Sequence, residues 1–293
     1  MHGQLPGQAE VFLDHVAYFV PAIAPAARAL ERCGFRLTPF TIQTNWADGN
    51  PVPAGTGNRC AMLRRGYVEI LAATEDTPLA RQLRDRLVRH VGLHLAAFSS
   101  ADAAGEHRRL ATAGFSVLPL VDMRRAVATE TGEQHARFTI ARIADGAMSE
   151  GRIQFLTHHS ESLVWREPYL EHPNGAQALL GLWIAAKNPD EPADRFARFT
   201  GRPARRERDV ATIPLSRGCL RFASPEYLEE HFGIAPGPPL PYLAADEINV
   251  ADFNRLRRVL GAAGVAARSI PGGVAVTLPA AIGGTILFRA GSN

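Results

Sequence analysis

Cysteine is scarce in this chain. There are three in 293 residues (Cys33, Cys60, Cys219), an odd number, and none lies in a CxxC pair. This argues against a disulfide framework and a thiolate-built metal centre, and fits free thiols in a reducing cytoplasm, the expected location. No apolar run approaches the ~20 residues that span a bilayer. The stretch from Met1 to Glu10 lacks a basic region followed by an apolar one, so neither membrane nor secretion is expected. Long runs of one charge are missing too. Arg205-Arg206 and Arg257-Arg258 are short pairs, and a net charge of +3 reads as solvated faces, with no nucleic-acid partner. The Gly55 to Arg59 stretch contains two glycines but lacks P-loop spacing and reads as a turn. What remains is an ordinary soluble composition, 46% hydrophobic and 21% charged, long enough for one large domain or two of usual size.

What the chain does have is an internal repeat. A strand-like segment, residues 12–20, precedes a helical one with apolar positions at Ile23, Ala27 and Leu30, which ends at Gly34-Phe35. Three strands are expected next, around 36–43, 58–64 and 67–72. The second copy starts at 91–98, has a helix near 102–113 ending at Gly114-Phe115, and strands near 116–120, 137–143 and 152–157. Both helices close in Leu-x-x-x-Gly-Phe, with glycine at the position that favours left-handed backbone. Shorter third and fourth copies begin at Gly181 and near Tyr242. The last strand of every copy reads Gly-x-apolar-X-apolar, with X being Glu69, Gln154, Arg221 and Leu287.

The pattern predicts an α+β fold: four βαβββ modules paired into two curled mixed-sheet cups with helices on the outer faces. The first pair spans residues 1–175 and the second, degenerate pair 176–293. A proline-rich stretch from Ile234 to Pro241 reads as an exposed connector.

Strand side chains alternate faces. His15 then shares a face with Ala17 and Phe19, Glu69 with Leu71, His94 with Ala96, and Gln154 with Leu156 and His158. Unpaired polar groups on such faces would cost several kcal/mol, and a shared metal ion would resolve the cost. His15 and His94 take matching places in the first strands, Glu69 and Gln154 in the last. Two imidazoles, a carboxylate and an amide oxygen form an N/O donor set suited to Zn, Ni, Fe or Mn.

On these residues the chain resembles the glyoxalase, bleomycin-resistance and extradiol dioxygenase superfamily, also called vicinal oxygen chelate. The resemblance is best over residues 11–159, and 12–20, 67–73 and 91–98 resemble its glyoxalase-like domain branch. It implies a divalent metal held by His15, Glu69, His94 and Gln154, and a small substrate chelating through adjacent oxygens in a lyase, isomerase or ring-cleaving reaction. The alternative it implies is a bleomycin-resistance type of protein that sequesters a small molecule without chemistry. Gln154 departs from the pattern in which a second Glu serves as base. Glu69 or His158 is then the expected base. Asn58, Arg59, Arg142, His172 and Asn174 are candidates for the substrate pocket. Arg137 and Arg142 have opposite parity, so one at most faces inward. The partner is a small molecule, and a homodimer stays open as an assembly.

Overall fold

The computed structural model describes residues 3–47, 49–130 and 132–290, so Met1 and His2 of the N-terminal stretch lie outside it. The first copy runs β1 (Phe12–Phe19), α1 (Ile23–Arg32), β2 (Thr41–Ala47), β3 (Asn50–Met62) and β4 (Tyr67–Ala73). After α2 (Pro78–Arg89), the second runs β5 (Gly92–Ser99), α3 (Ala103–Thr112), β6 (Val121–Thr129), β7 (Gly132–Arg142) and β8 (Arg152–His158). α4 (Glu161–Val164) leads to the third: β9 (Ala176–Ala185), α5 (Asp190–Thr200), β10 (Arg205–Glu207), β11 (Val210–Pro214) and β12 (Cys219–Ala223). α6 (Pro225–Phe232) connects to the fourth: β13 (Tyr242–Val250), α7 (Phe253–Ala262), β14 (Arg268–Ile270), β15 (Gly273–Thr277) and β16 (Thr285–Ala290). The fold is the expected α+β arrangement.

The Leu-x-x-x-Gly-Phe repeat has a physical cause. Gly34 and Gly114 sit at φ of 83° and 85°, a backbone region that costs a side chain dearly. This lets the Phe35 N–H donate to Leu30 O at 3.1 Å and the Phe115 N–H to Leu110 O at 3.0 Å. The helix ends are thereby satisfied, and the Leu and Phe of each motif are buried.

The first sheet is more than a cup. Its strands close in the order β1-β4-β3-β2-β6-β7-β8-β5, with β1 and β5 antiparallel and β2 paired to β6. The strands that close it lie later than the periodicity predicts. β2 starts at Thr41 and β6 at Val121, because two long hairpins, β2–β3 and β6–β7, carry the seam. Gly55 to Arg59, read above as a turn, lies inside β3. The second sheet, β10-β11-β12-β9-β13-β16-β15-β14, stays open.

Three cores result. One lies inside the barrel around its cavity, with Phe19, Met62, Leu95, Phe138 and Leu156. One fills the second cup, with Trp183, Leu228, Phe232 and Leu287. The largest joins the outer faces of both sheets to α1, α3, α5 and α7, through Tyr18, Leu30, Phe98, Phe199, Leu182 and Phe288. β1 and β5 are buried along their whole length because one face meets the barrel interior and the other this shared core. No helix among the described residues is long and apolar enough to cross a membrane.

Candidate active site

The barrel encloses a small cavity that opens to solvent. His15 (β1), Glu69 (β4), Gln154 (β8), Asn58 (β3) and Arg142 (β7) all line it, as the sequence predicts. Arg59 does not. It lies on the opposite face of β3, where its guanidinium donates to Thr38 O at 2.8 Å and pairs with Glu31 at 3.1 Å.

His15 is held from behind. Its Nδ1 is 2.7 Å from Asp14 Oδ1, and since a carboxylate only accepts, Nδ1 carries the proton. Its ring stacks on Tyr67 with centroids 4.3 Å apart. Its Nε2 points to Glu69 Oε2, 3.8 Å away. The other Glu69 oxygen accepts amide N–H groups from Gln43, at 3.2 Å, and Asn58. Gln43 is fixed in turn by Thr56, whose hydroxyl donates to its amide oxygen at 2.7 Å.

Asp14 is buried completely, yet ionised. Burial alone would raise its pKa, but the charge of His158 and hydrogen bonds from His15 and His158 hold it well below the usual carboxylate range. His158 lies 2.9 Å from Asp14 Oδ2, packed between Phe138 and Trp165. The residue expected as a base is therefore behind the wall, where it meets the cavity only through Asp14 and His15.

His94 is the clearest departure from expectation. It does not line the cavity. Its Nε2 lies 2.8 Å from His90 O, its ring sits 3.9 Å from the His90 ring, and burial lowers its pKa to about 3. The reason is register. β1 and β5 pair His15 with Ala97 and Ala17 with Leu95, then shift by a residue at each end. Asp14 is skipped at one shift and His94 at the other. The twofold relation between the copies therefore matches Asp14 to His94 and His15 to Leu95. Consistently, Leu95 lines the cavity. Gly151 supports this placement, since a Cβ there would come within 2.5 Å of the His94 carbonyl oxygen.

His172 and Asn174 are also elsewhere. His172 accepts the Arg36 N–H at 3.0 Å on Nδ1 and places Nε2 2.8 Å from Met62 O. Asn174 donates to Cys33 O and accepts the Ala176 N–H, both at 2.9 Å. These residues pin the connector between the halves to the end of α1. The chain turns there, so their polarity serves backbone groups.

Sequence reasoning missed Asp14, Gln43, Arg125 and Arg152. Regular alternation puts Asp14 on the wrong face, and only the bulge brings it to His15. Arg125 lines the cavity from β6, whose facing could not be set while the seam was misplaced, and Arg152 from β8, where it shares the parity of Gln154 and was passed over.

The family implies a metal, but the donor set does not fit one. His15 and Glu69 are the cavity's imidazole and carboxylate donors. The place related to His15 holds Leu95, and Gln154 Oε1 already accepts from Arg142 Nε at 3.3 Å. Arg125, Arg142 and Arg152 add positive charge to the same wall. Among the described residues no three His, Cys, Asp or Glu side chains stand together as a ligand set.

A profile of the glyoxalase-like domain matches residues 13–200, more than half of the chain. The chain belongs to the glyoxalase-like domain family. No curated protein matches it in sequence. Similar solved structures include a hypothetical protein from Staphylococcus aureus, 11% identical, covering 96% of this chain and 99% of that one, TM-score 0.62. A mutant of 4-hydroxymandelate synthase from Streptomyces coelicolor is 12% identical over 97% of this chain and 94% of its own, TM-score 0.54. A xylose isomerase-like TIM barrel/4-hydroxyphenylpyruvate dioxygenase fusion protein is 12% identical over 98% of this chain and 50% of its own, TM-score 0.56. At these identities the likeness concerns the fold.

Proposed function

We propose that the barrel cavity is the active site of an enzyme that moves a proton on a small substrate with adjacent oxygens, in a lyase or isomerase type of reaction. The observation that carries this is His15 itself, whose Nδ1 is held by Asp14 and whose Nε2 stands 3.8 Å from a cavity-lining carboxylate. In its neutral form, His15 is the base. When Nε2 takes a proton from a carbon next to a carbonyl, the imidazolium lies between the Asp14 and Glu69 carboxylates, which stabilise it. The oxygen that gains negative charge is matched by the Arg142 and Arg152 guanidiniums in the same cavity. Glu69, held by two amides, orients the proton on Nε2 or returns it to a neighbouring atom. Ring-opening oxygenation calls for three firm metal ligands, which this donor set does not supply.

The test is hydrogen exchange. In D2O, a panel of 2-oxo acids and 2-hydroxy ketones is followed by NMR for loss of the C–H signal next to the carbonyl. Exchange is expected for at least one member and should drop ~100-fold or more in His15→Ala. Equal rates in variant and wild type would remove His15 from the chemistry. If nothing exchanges while small acids still bind, the barrel is a sequestering pocket of the bleomycin-resistance kind.

A further inference from the structure

Two guanidiniums in the barrel wall have no anionic partner. Arg142 donates from Nε to the Gln154 amide oxygen at 3.3 Å, and Arg152 to the Leu79 carbonyl at 3.5 Å. Both acceptors are neutral and both contacts are long. The nearby Asp145 is already paired with Arg86. Among the described residues no carboxylate lies within ion-pair distance of either Arg142 or Arg152. Burial pushes Arg142 down to about 10. Burial, then the charges of Arg142 and Arg86, push Arg152 down to about 9, against the charges of Asp145 and Glu69. Two like charges side by side in a partly dry wall mark a place where an anion is missing.

Their position adds a second argument. Both arginines line the barrel cavity, and both also line a small outer pocket walled by Gln82, Asp145 and Met148. An anion at the guanidinium pair sits where the two cavities adjoin. Beside the polar His15, Gln43, Asn58 and Glu69, an apolar set of Leu71, Leu95, Phe138, Ile140 and Leu156 also faces the barrel cavity. A ligand that uses both the guanidinium pair and this apolar set has one charged end and an apolar body. A planar carboxylate suits the fork of a guanidinium, which can offer it two parallel N–H groups.

We infer that the barrel takes a small organic acid with an apolar body, its carboxylate held between Arg142 and Arg152 and its body against Leu71, Leu95, Phe138 and Leu156. This rests on reading the barrel as the active site and adds the substrate class. His15 and Glu69 line the same cavity, so the carbon to be deprotonated lies next to a carbonyl that adjoins the carboxylate, where the same two guanidiniums meet both oxygens.

Calorimetric titration separates the possibilities, with phenylacetate, its uncharged isostere phenylacetamide and inorganic phosphate as probes on the full chain. Phenylacetate should bind about ten-fold or more tightly than phenylacetamide. Arg142→Gln and Arg152→Gln should each bring the acid down to the level of the amide, while Arg152→Lys keeps part of the preference. Thermal melts confirm that each variant is folded. The amide comparison on wild type needs no variant, so the inference stays testable if an arginine variant fails to fold. Acid and amide binding alike, no binding of phenylacetate, or phosphate binding as tightly as phenylacetate would each overturn it. Hydrogen exchange reads the proton-transfer proposal separately: acid binding that survives in wild type without exchange overturns that proposal and leaves this one standing.

Discussion

The two sheets have the same strand order, yet one encloses a cavity and the other is filled. Each runs second-third-fourth-first strand of one copy, then first-fourth-third-second of the next. In the first half the outer strands β2 and β6 are 7 and 9 residues long and meet. In the second half the outer strands β10 and β14 have 3 residues each and stay apart. The gap is taken by the apolar face of α6, whose Phe232 packs on Trp183 with ring centroids 4.9 Å apart. The buried acids differ in the same sense. Glu69 keeps one oxygen facing the cavity, while Glu247 is bracketed by Arg221 and Arg289. A hairpin long enough to close a sheet leaves a hollow with an unspent carboxylate. A short one leaves an opening that a helix and an Arg–Glu–Arg cluster fill.

Two fully buried aspartates, one from each half, give the largest expected effects, and of opposite sign. Asp14 holds two imidazoles. Its folded pKa is lowered, so its contribution is fully present above the unfolded value of about 3.9 and is lost as pH falls below it. Asp14→Asn should cost about 3–5 kcal/mol at neutral pH in urea unfolding. Asp246 accepts the Tyr18 hydroxyl across the interface between the halves, and burial pushes it up to about 7. Below about pH 4 folded and unfolded chains both keep that proton, and Asp246 is neutral for stability. As pH rises towards 7 the unfolded chain releases it first and stability falls. Above 7 the full cost, about 4 kcal/mol at most, is present. Asp246→Asn should therefore stabilise the protein above pH 7 and make no difference near pH 4. A variant whose pH curve parallels wild type would break the contrast.

Truncations sharpen the filled-against-hollow comparison. Leu228 of α6 is wholly buried in the second cup, and Leu228→Ala should cost about 2–5 kcal/mol through the cavity it opens. Leu156 borders space that is already empty, so Leu156→Ala should fall near the low end, about 2 kcal/mol. Equal losses in urea titrations would mean that the barrel is as tightly filled as the second cup.

Much of this was legible in the chain. The helix-closing motif, the Gly-x-apolar-X-apolar strands and the burial of β1 and β5 fixed four modules and their pairing, because each is a local pattern with a local cause. Of the four residues expected to converge, three do. His94 was misassigned because residue identity was allowed to outrank spacing. Leu30, Gly34 and Phe35 recur 80 positions later as Leu110, Gly114 and Phe115, and the same offset carries His15 to Leu95 and Asp14 to His94. Matching histidine to histidine needs 79. The ladder shifts that settle the matter are contacts between β1 and β5, which a strand read alone does not reveal. The same holds for Arg125: its facing depends on a seam between β2 and β6, far apart in sequence. Arg152 shares the parity of Gln154 in β8, so its facing was legible and was passed over.

That one-residue offset supports the smallest and most discriminating measurement. If Leu95 stands where His15 stands in the other copy, the wild-type cavity has two firm donors and three guanidiniums, and divalent ions should scarcely bind. Zn, Ni, Mn or ferrous ion at about 1 mM should change the unfolding free energy of the wild type by less than about 0.5 kcal/mol. Leu95→His supplies the missing imidazole on the cavity face. An ion present at 100 times its Kd would then add about 2.7 kcal/mol, and further substitution of His15 or Glu69 should erase the gain. The outcomes separate two errors. Metal uptake by the wild type that is lost in His15→Ala and Glu69→Ala but kept in His94→Ala would overturn the argument from the donor set and keep the register. Uptake lost in His94→Ala would overturn the register itself, because a histidine that stacks on His90 and faces its carbonyl cannot also reach the ion.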